Sequence, residues 1–177
     1  MDKTSDAPQP LPVTEVAARV RERFPDAAFD GPGPKDDVCL WITRERIHDV
    51  VAFLRDEHLF DVLMDETCVD YPGRSPRFEV IYNLYAMATH RRIFLKVAVD
   101  DSEPGVSSIT DLYLAADWLE REIYDMFGVR FEGHPNLVRI LLYDGFVGHP
   151  LRKDYPATKR QPIIGPADGP DHEERHG

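Results

Sequence analysis

Hydrophobic positions recur along this chain at two spacings, and each change of spacing marks a new element. Val16, Val20 and Phe24 fall at helical intervals between Thr14, taken as an N-cap, and Pro25, which predicts a short surface helix. The breaker Gly31-Pro32-Gly33-Pro34 follows, and the apolar run Val38 to Ile42 then has the length of a strand. Ile47, Val50, Val51 and Leu54 sit at i, i+3, i+4 and i+7 with charges between them, so an amphipathic helix is expected, with Thr43 as its cap.

Three stretches rich in β-branched and aromatic residues come next, Phe60 to Tyr71, Arg77 to Met87 and Arg91 to Val99. The polar link Ala88-Thr89-His90 makes the last two a hairpin, and Phe78, Val80, Tyr82 and Leu84 with Phe94, Leu95, Val97 and Val99 supply one buried sheet face. Residues 101–108 read as a loop; Leu112, Ala115, Ala116, Leu119 and Ile123 predict a third helix ended by Gly128 in a left-handed conformation. The fold class expected is α+β, a mixed sheet of about four strands packed with helices, followed by an extended, mostly irregular C-terminal segment.

That segment is set apart by Pro135, Pro150, Pro156, Pro162, Pro166 and Pro170, each of which removes an amide donor and extends its predecessor. It can hardly build a core alone, so it is expected to lie over its own domain or a neighbour. The expected organisation is a flexible N-terminus over 1–12, a globular domain over 13–131, a partner-binding segment over 132–161 and a disordered tail over 162–177.

Charge narrows the function. A net charge of -11 argues against nucleic acid, whose binding requires a basic surface that displaces counterions. The polar start is unlike a signal peptide and no apolar run approaches membrane-spanning length, so a cytoplasmic protein that meets a membrane only through partners is expected. Cys39 and Cys68 lie in apolar strands and read as buried free thiols, too few and too far apart for a cluster or structural zinc.

Candidate chemistry concentrates at the end of the third helix. Glu120, Glu122 and Asp125 could ligate a hard metal or share a proton, and with His134 they would make a small metal-dependent hydrolase. A polar network is the plainer reading: Arg121 can pair with Asp125 four residues on, while Glu122 and Asp125 share a face. Acids at a helix C-terminus oppose the macrodipole, so they need hydrogen bonds or cations from elsewhere. His48, His58 and His90 are assigned to polar faces or turns. Gly133-His134-Pro135 and Gly148-His149-Pro150 are assigned to turns or packing, and Arg152-Lys153-Asp154 is expected to meet acidic groups on a partner. No dinucleotide, phosphate-loop, nucleophile-elbow or zinc-helix motif occurs.

The stretch Ala116 to Pro135, with Asp-Trp-Leu-Glu-Arg-Glu-Ile-Tyr-Asp-Met-Phe-Gly at its centre, resembles the signature of the C (30 kDa) subunit of respiratory complex I, the NADH:quinone oxidoreductase. Arg139-Ile140-Leu141 and Gly148 to Pro156 continue the likeness, as do Val69 to Arg74 and Arg77 to Leu84 upstream, so that it covers roughly 45–160. Val138 stands where the family commonly has a basic residue, and Asp117 where it often has Asn. The resemblance implies a structural, non-catalytic subunit of the peripheral arm on the cytoplasmic face of the membrane. It implies a hetero-oligomer with the D (49 kDa), B and I subunits, and no cofactor on this chain, since FMN, Fe-S clusters and quinone are held by partners. It implies structural or interface roles for Glu120, Arg121, Glu122 and Asp125 and anchoring roles for His134, Arg139, His149, Arg152, Lys153 and Asp154. The nearest alternative is the homologous subunit of a membrane-bound [NiFe] hydrogenase or another quinone reductase.

Overall fold

The computed structural model describes residues 11–33, 37–143 and 145–159, so the expected flexible N-terminus, apart from its last two residues, and the expected disordered tail lie outside the described residues. Ten elements follow in order: α1 (Val13–Arg23), β1 (Ala28–Asp30), β2 (Cys39–Ile42), α2 (Ile47–His58), β3 (Val62–Asp70), β4 (Phe78–Ala86), β5 (Arg91–Val99), β6 (Gly105–Ser107), α3 (Ala116–Phe127) and β7 (Arg130–Glu132). A five-stranded mixed sheet in the order β1-β2-β5-β4-β3 forms the body, with β2 and β5 its parallel pair. This is the α+β class, with one strand more in the main sheet than the pattern suggested.

The long hairpin forms because alternation along β4 and β5 agrees with their register. Phe78, Val80, Tyr82 and Leu84 lie opposite Val99, Val97, Leu95 and Ile93, and all eight are fully buried beneath the helices. Phe94 belongs to the other face, where it stays half-exposed with Trp41, Ile81 and Lys96, and Ile93 takes the inward place expected of it. In β3 a bulge between Leu63 and Asp65 resets the alternation, so Glu66, Cys68 and Asp70 turn into the core while Asp65 and Thr67 face out.

Several local expectations are corrected. Helix α1 starts at Val13, after Pro12, whose carbonyl accepts the Glu15 and Val16 amides; Thr14 lies inside the first turn and caps nothing. Thr43 forms a turn whose carbonyl accepts the Arg46 amide, and α2 begins only at Ile47. The loop over 101–108 contains β6, which pairs in parallel with β7 across α3, Val106 opposite Phe131. Leu112 and Ala115 precede α3 in a run of turns. His58, assigned to a polar face, is buried edge-on against Phe53, and desolvation lowers its pKa. His48 meets the Asp111 carboxylate at 2.9 Å, and His90 meets the Tyr85 hydroxyl at 2.8 Å. Cys39 and Cys68 are both buried and free, and burial pushes the Cys68 thiol up to about 12.

Candidate functional site: a C-terminal strap on the third helix

Beyond β7 the described chain to residue 159 has neither helix nor strand, only turns and bends. What orders it is the end of α3. A helix leaves its last carbonyls without intrahelical donors and carries partial negative charge there. Helix α3 has no basic residue in its last turn, so nothing local answers that charge.

The strap supplies the answer. Gly128, in the left-handed region at φ 79°, donates its amide to the Tyr124 carbonyl. The Asp125 carbonyl accepts from His149 Nδ1 at 3.0 Å and from Arg139 at 3.4 Å; the Met126 carbonyl accepts from the Leu151 amide at 3.1 Å. Arg152 reaches the Phe127 carbonyl at 3.5 Å. Residues more than ten positions downstream thus cap α3 and bring cations to its negative pole.

Asp125 is the centre of this arrangement. Its side chain is 0% exposed, and Oδ2 accepts three consecutive strap amides, Ile140 at 3.1 Å, Leu141 at 2.9 Å and Leu142 at 2.9 Å, while Oδ1 takes Arg139 Nη1 at 2.6 Å. Burial alone would raise its pKa; the amides and the guanidinium outweigh burial and hold it below the ordinary value. Arg139 also donates to the Gly148 carbonyl at 3.1 Å, clamping the strap onto itself. The expected Arg121–Asp125 pair is not made: Arg121 points to the Val138 and Arg139 carbonyls at 3.2 and 3.4 Å and lies 3.9 Å from Asp117, one turn towards the N-terminus. Glu122 does not share the Asp125 face either; it is exposed.

His134 fixes the start of the strap. Its Nδ1 accepts the Asn136 amide at 3.0 Å, which leaves Nε2 to carry the proton donated to the Asp117 carbonyl at 3.2 Å. Glu120 turns the opposite way, into the core, where it is 0% exposed and accepts the Ile109 amide at 2.7 Å.

A second anchor joins the strap to the sheet. Arg77, beside β4, grips Asp70 of β3 with two parallel bonds of 2.7 and 2.8 Å and also donates to Asp101 at 3.0 Å and Asp154 at 2.9 Å. The Lys153 amide donates to Asp70 at 2.7 Å. Arg152 pairs with Asp101 and Asp154, and the Arg77 and Arg152 guanidiniums both lie over the Phe78 ring, at 5.1 and 5.0 Å from its centre. The Arg152 partners in view are acids of its own chain. Sequence pattern alone assigns no role to Asp70, Arg77 or Asp101; the signal it carries is an acid and an arginine bracketing an apolar strand pair.

Close packing of the strap explains its glycines. A Cβ on Gly128 would stand 2.8 Å from two atoms of the His149 ring. Gly128→Ala is therefore expected to cost at least the roughly 1–2 kcal/mol of a left-handed non-glycine residue. It should also push His149 off the Asp125 carbonyl, visible as a change in the His149 ring resonances; an unmoved ring would contradict the contact.

Residues 40–161 match the family model of the respiratory-chain NADH dehydrogenase 30 kDa subunit, and the chain belongs to that family. A relative from Citrifermentans bemidjiense, the C (30 kDa-type) subunit of its NADH-quinone oxidoreductase, is 43% identical over 152 residues, covering 85% of this chain and 94% of its own. The protein of the same name from Roseiflexus sp. (strain RS-1) is 47% identical over 143 residues, covering 80% and 82%. Among solved structures, a trypsin-resistant fragment of Nqo5 superposes with a TM-score of 0.63 at 30% identity, over 71% of this chain and 98% of the fragment. A chain of the membrane-bound sulfane sulfur reductase, an archaeal respiratory membrane complex, shares the fold, with a TM-score of 0.71 at 23% identity over 82% and 86% of the two chains.

Proposed function

We propose that this chain is the non-catalytic structural C (30 kDa) subunit of a proton-translocating NADH:quinone oxidoreductase, helping to assemble the module that reduces quinone. NADH, FMN, the Fe-S clusters and quinone are held by partner subunits, and the chain sits peripherally on the cytoplasmic face against the D (49 kDa), B and I subunits. No helix among the described residues is long and apolar enough to cross a membrane.

The observation that carries this reading is the two-sidedness of the strap. Its polar anchors turn inward and are satisfied by the domain, while Val138, Leu141 and Leu151 turn outward, Leu141 being 61% exposed. Exposed apolar side chains on a rigidly tied segment suit a protein partner. Glu120, Arg121, Asp125, His134, Arg139, His149, Arg152, Lys153 and Asp154 then act as internal fasteners that shape this surface, and Glu122 is left at its edge.

The hydrolase reading requires Glu120, Glu122, Asp125 and His134 to converge. Glu120 points into the core, Asp125 is saturated by the strap, Glu122 faces solvent and His134 is locked on Asp117; among the described residues no group of three or more such side chains is arranged to hold a metal. The alternative of a hydrogenase or other quinone-reductase component shares the fold and is decided by which subunits the neighbouring genes encode.

The test is a tagged pull-down from mildly solubilised membranes. Flavin-, iron-sulfur- and quinone-binding chains should accompany the wild type. Leu141→Glu should reduce their recovery while changing the stability of the free subunit by less than about 0.5 kcal/mol, as expected for a surface site. Redox turnover or a stoichiometric prosthetic group on the purified chain alone would overturn the proposal.

A further inference from the structure

Beneath α3, away from the strap, two glutamates meet in the core. The bulge in β3 turns Glu66 inward, where it is 3% exposed, directly opposite Tyr82 in the β3–β4 register, and Glu120 descends on it from α3. Tyr82 and Glu120 are fully buried. Glu120 spends one oxygen on the Ile109 amide, and its Oε2, both Glu66 oxygens and the Tyr82 hydroxyl have no hydrogen-bond partner.

The surroundings offer no relief to a second charge. Asp65 on β3 acts on Glu66; Asp111 and Asp117 act on Glu120, whose other neighbours are the Ser108 hydroxyl and the Ile109 amide; Cys68 lies beside Tyr82. These groups are acidic or neutral. Two carboxylates taken out of water together, with no cation between them, cannot both stay ionised, and such a pair gives up its protons in separate steps.

We propose that Glu66 and Glu120 form a proton-binding site in the core, one proton being kept on Glu66 at neutral pH, and that this proton holds α3, and through it the strap, on the sheet. Neutral Glu66 can donate its O–H and accept from the Tyr82 hydroxyl, directly or across one internal water. Burial, and then the Glu120 charge, push the Glu66 carboxyl well above the usual carboxylate range, which Tyr82 only partly offsets; burial raises Glu120 as well.

The sign follows from that direction. A carboxyl whose folded value exceeds its unfolded value contributes fully below the ordinary carboxylate range, and its contribution fades as pH climbs towards the folded value. Stability should therefore fall from acidic through neutral to mildly alkaline conditions, when the proton leaves to solvent and the two charges repel. The site is independent of the assembly role, because it is read on the free chain.

Infrared spectroscopy of the full chain tests it. A protonated-carboxyl band is expected at neutral pH in the wild type and is lost in Glu66→Gln. In Glu120→Gln the band remains, but its disappearance moves to lower pH because the neighbouring charge is gone. The fall in thermal midpoint above neutral pH should flatten in Glu66→Gln. A wild type without the band, a band that survives Glu66→Gln, or an unshifted titration in Glu120→Gln overturns the proposal. If Glu66→Gln fails to fold, the wild-type spectrum and Glu120→Gln still decide.

Discussion

Asp125→Ala should destabilise the subunit by about 3–5 kcal/mol, the usual loss when one member of a buried ionic arrangement is removed and its partners stay behind. Four donors lose their acceptor at once: the Ile140, Leu141 and Leu142 amides and Arg139. None of them can find another acceptor without moving the strap. The large effect should therefore come with fast amide exchange at 140–142 and with new protease cleavage there. Asp125→Asn keeps one oxygen but sets its amide group against donors, so a smaller loss is expected. Glu122→Ala, three residues away and exposed, should change stability by less than about 0.5 kcal/mol. Denaturant unfolding of the three variants makes the comparison; a loss below about 1 kcal/mol for Asp125→Ala would show that the strap is not held from this carboxylate, since one ordinary neutral hydrogen bond contributes that much.

What could be read from sequence, and what could not, follows from how local each signal is. The β4–β5 hairpin was legible because alternation, β-branched composition and a short polar link all sit within twenty-odd residues and agree. The end of α3 was legible because Gly128 announces it. Strands β1, β6 and β7 were missed because three residues are too few to show a period. Glu66 was hidden by the bulge: unbroken alternation from Leu63 would send Asp65, Thr67 and Val69 inward and leave Glu66 in solvent. The need for donors at the α3 acids could be argued from the macrodipole, but their identity could not. The amides that hold Asp125 carry no side-chain signature, and they come fifteen to seventeen residues later.

The same locality explains why the strap looked like a free-standing interface. Its prolines and glycines forbid regular structure, which in isolation argues for a partner. In the fold, the partner for its polar groups is the domain itself. The outward apolar residues are what remain for other chains, so family membership and strap geometry point to one arrangement: a tail made rigid from within before it is presented outside.

Arg77→Met should be the second severe change and should also reshape the acid limb of stability. Arg77 alone joins β3, through Asp70, to the loop at Asp101 and the strap at Asp154. The Asp70 side chain is 0% exposed, so losing Arg77 leaves a buried charge answered only by the Lys153 amide, at an expected cost of about 3–5 kcal/mol. The hydrogen bonds from Arg77 are the main cause holding Asp70 below the ordinary carboxylate range and Asp154 down at about 2. Carboxyls depressed in the folded state add stability above their unfolded value, near 4, and lose it as pH falls through the folded one. The wild type should therefore lose this contribution between about pH 4 and about pH 2, the lower bound set by Asp154. In Arg77→Met that portion of the acid dependence should flatten, because the two carboxyls return towards ordinary values and little remains to be lost. Thermal midpoints of both proteins across the acid range give the comparison: parallel curves would mean that the Arg77 network does not couple strap to sheet.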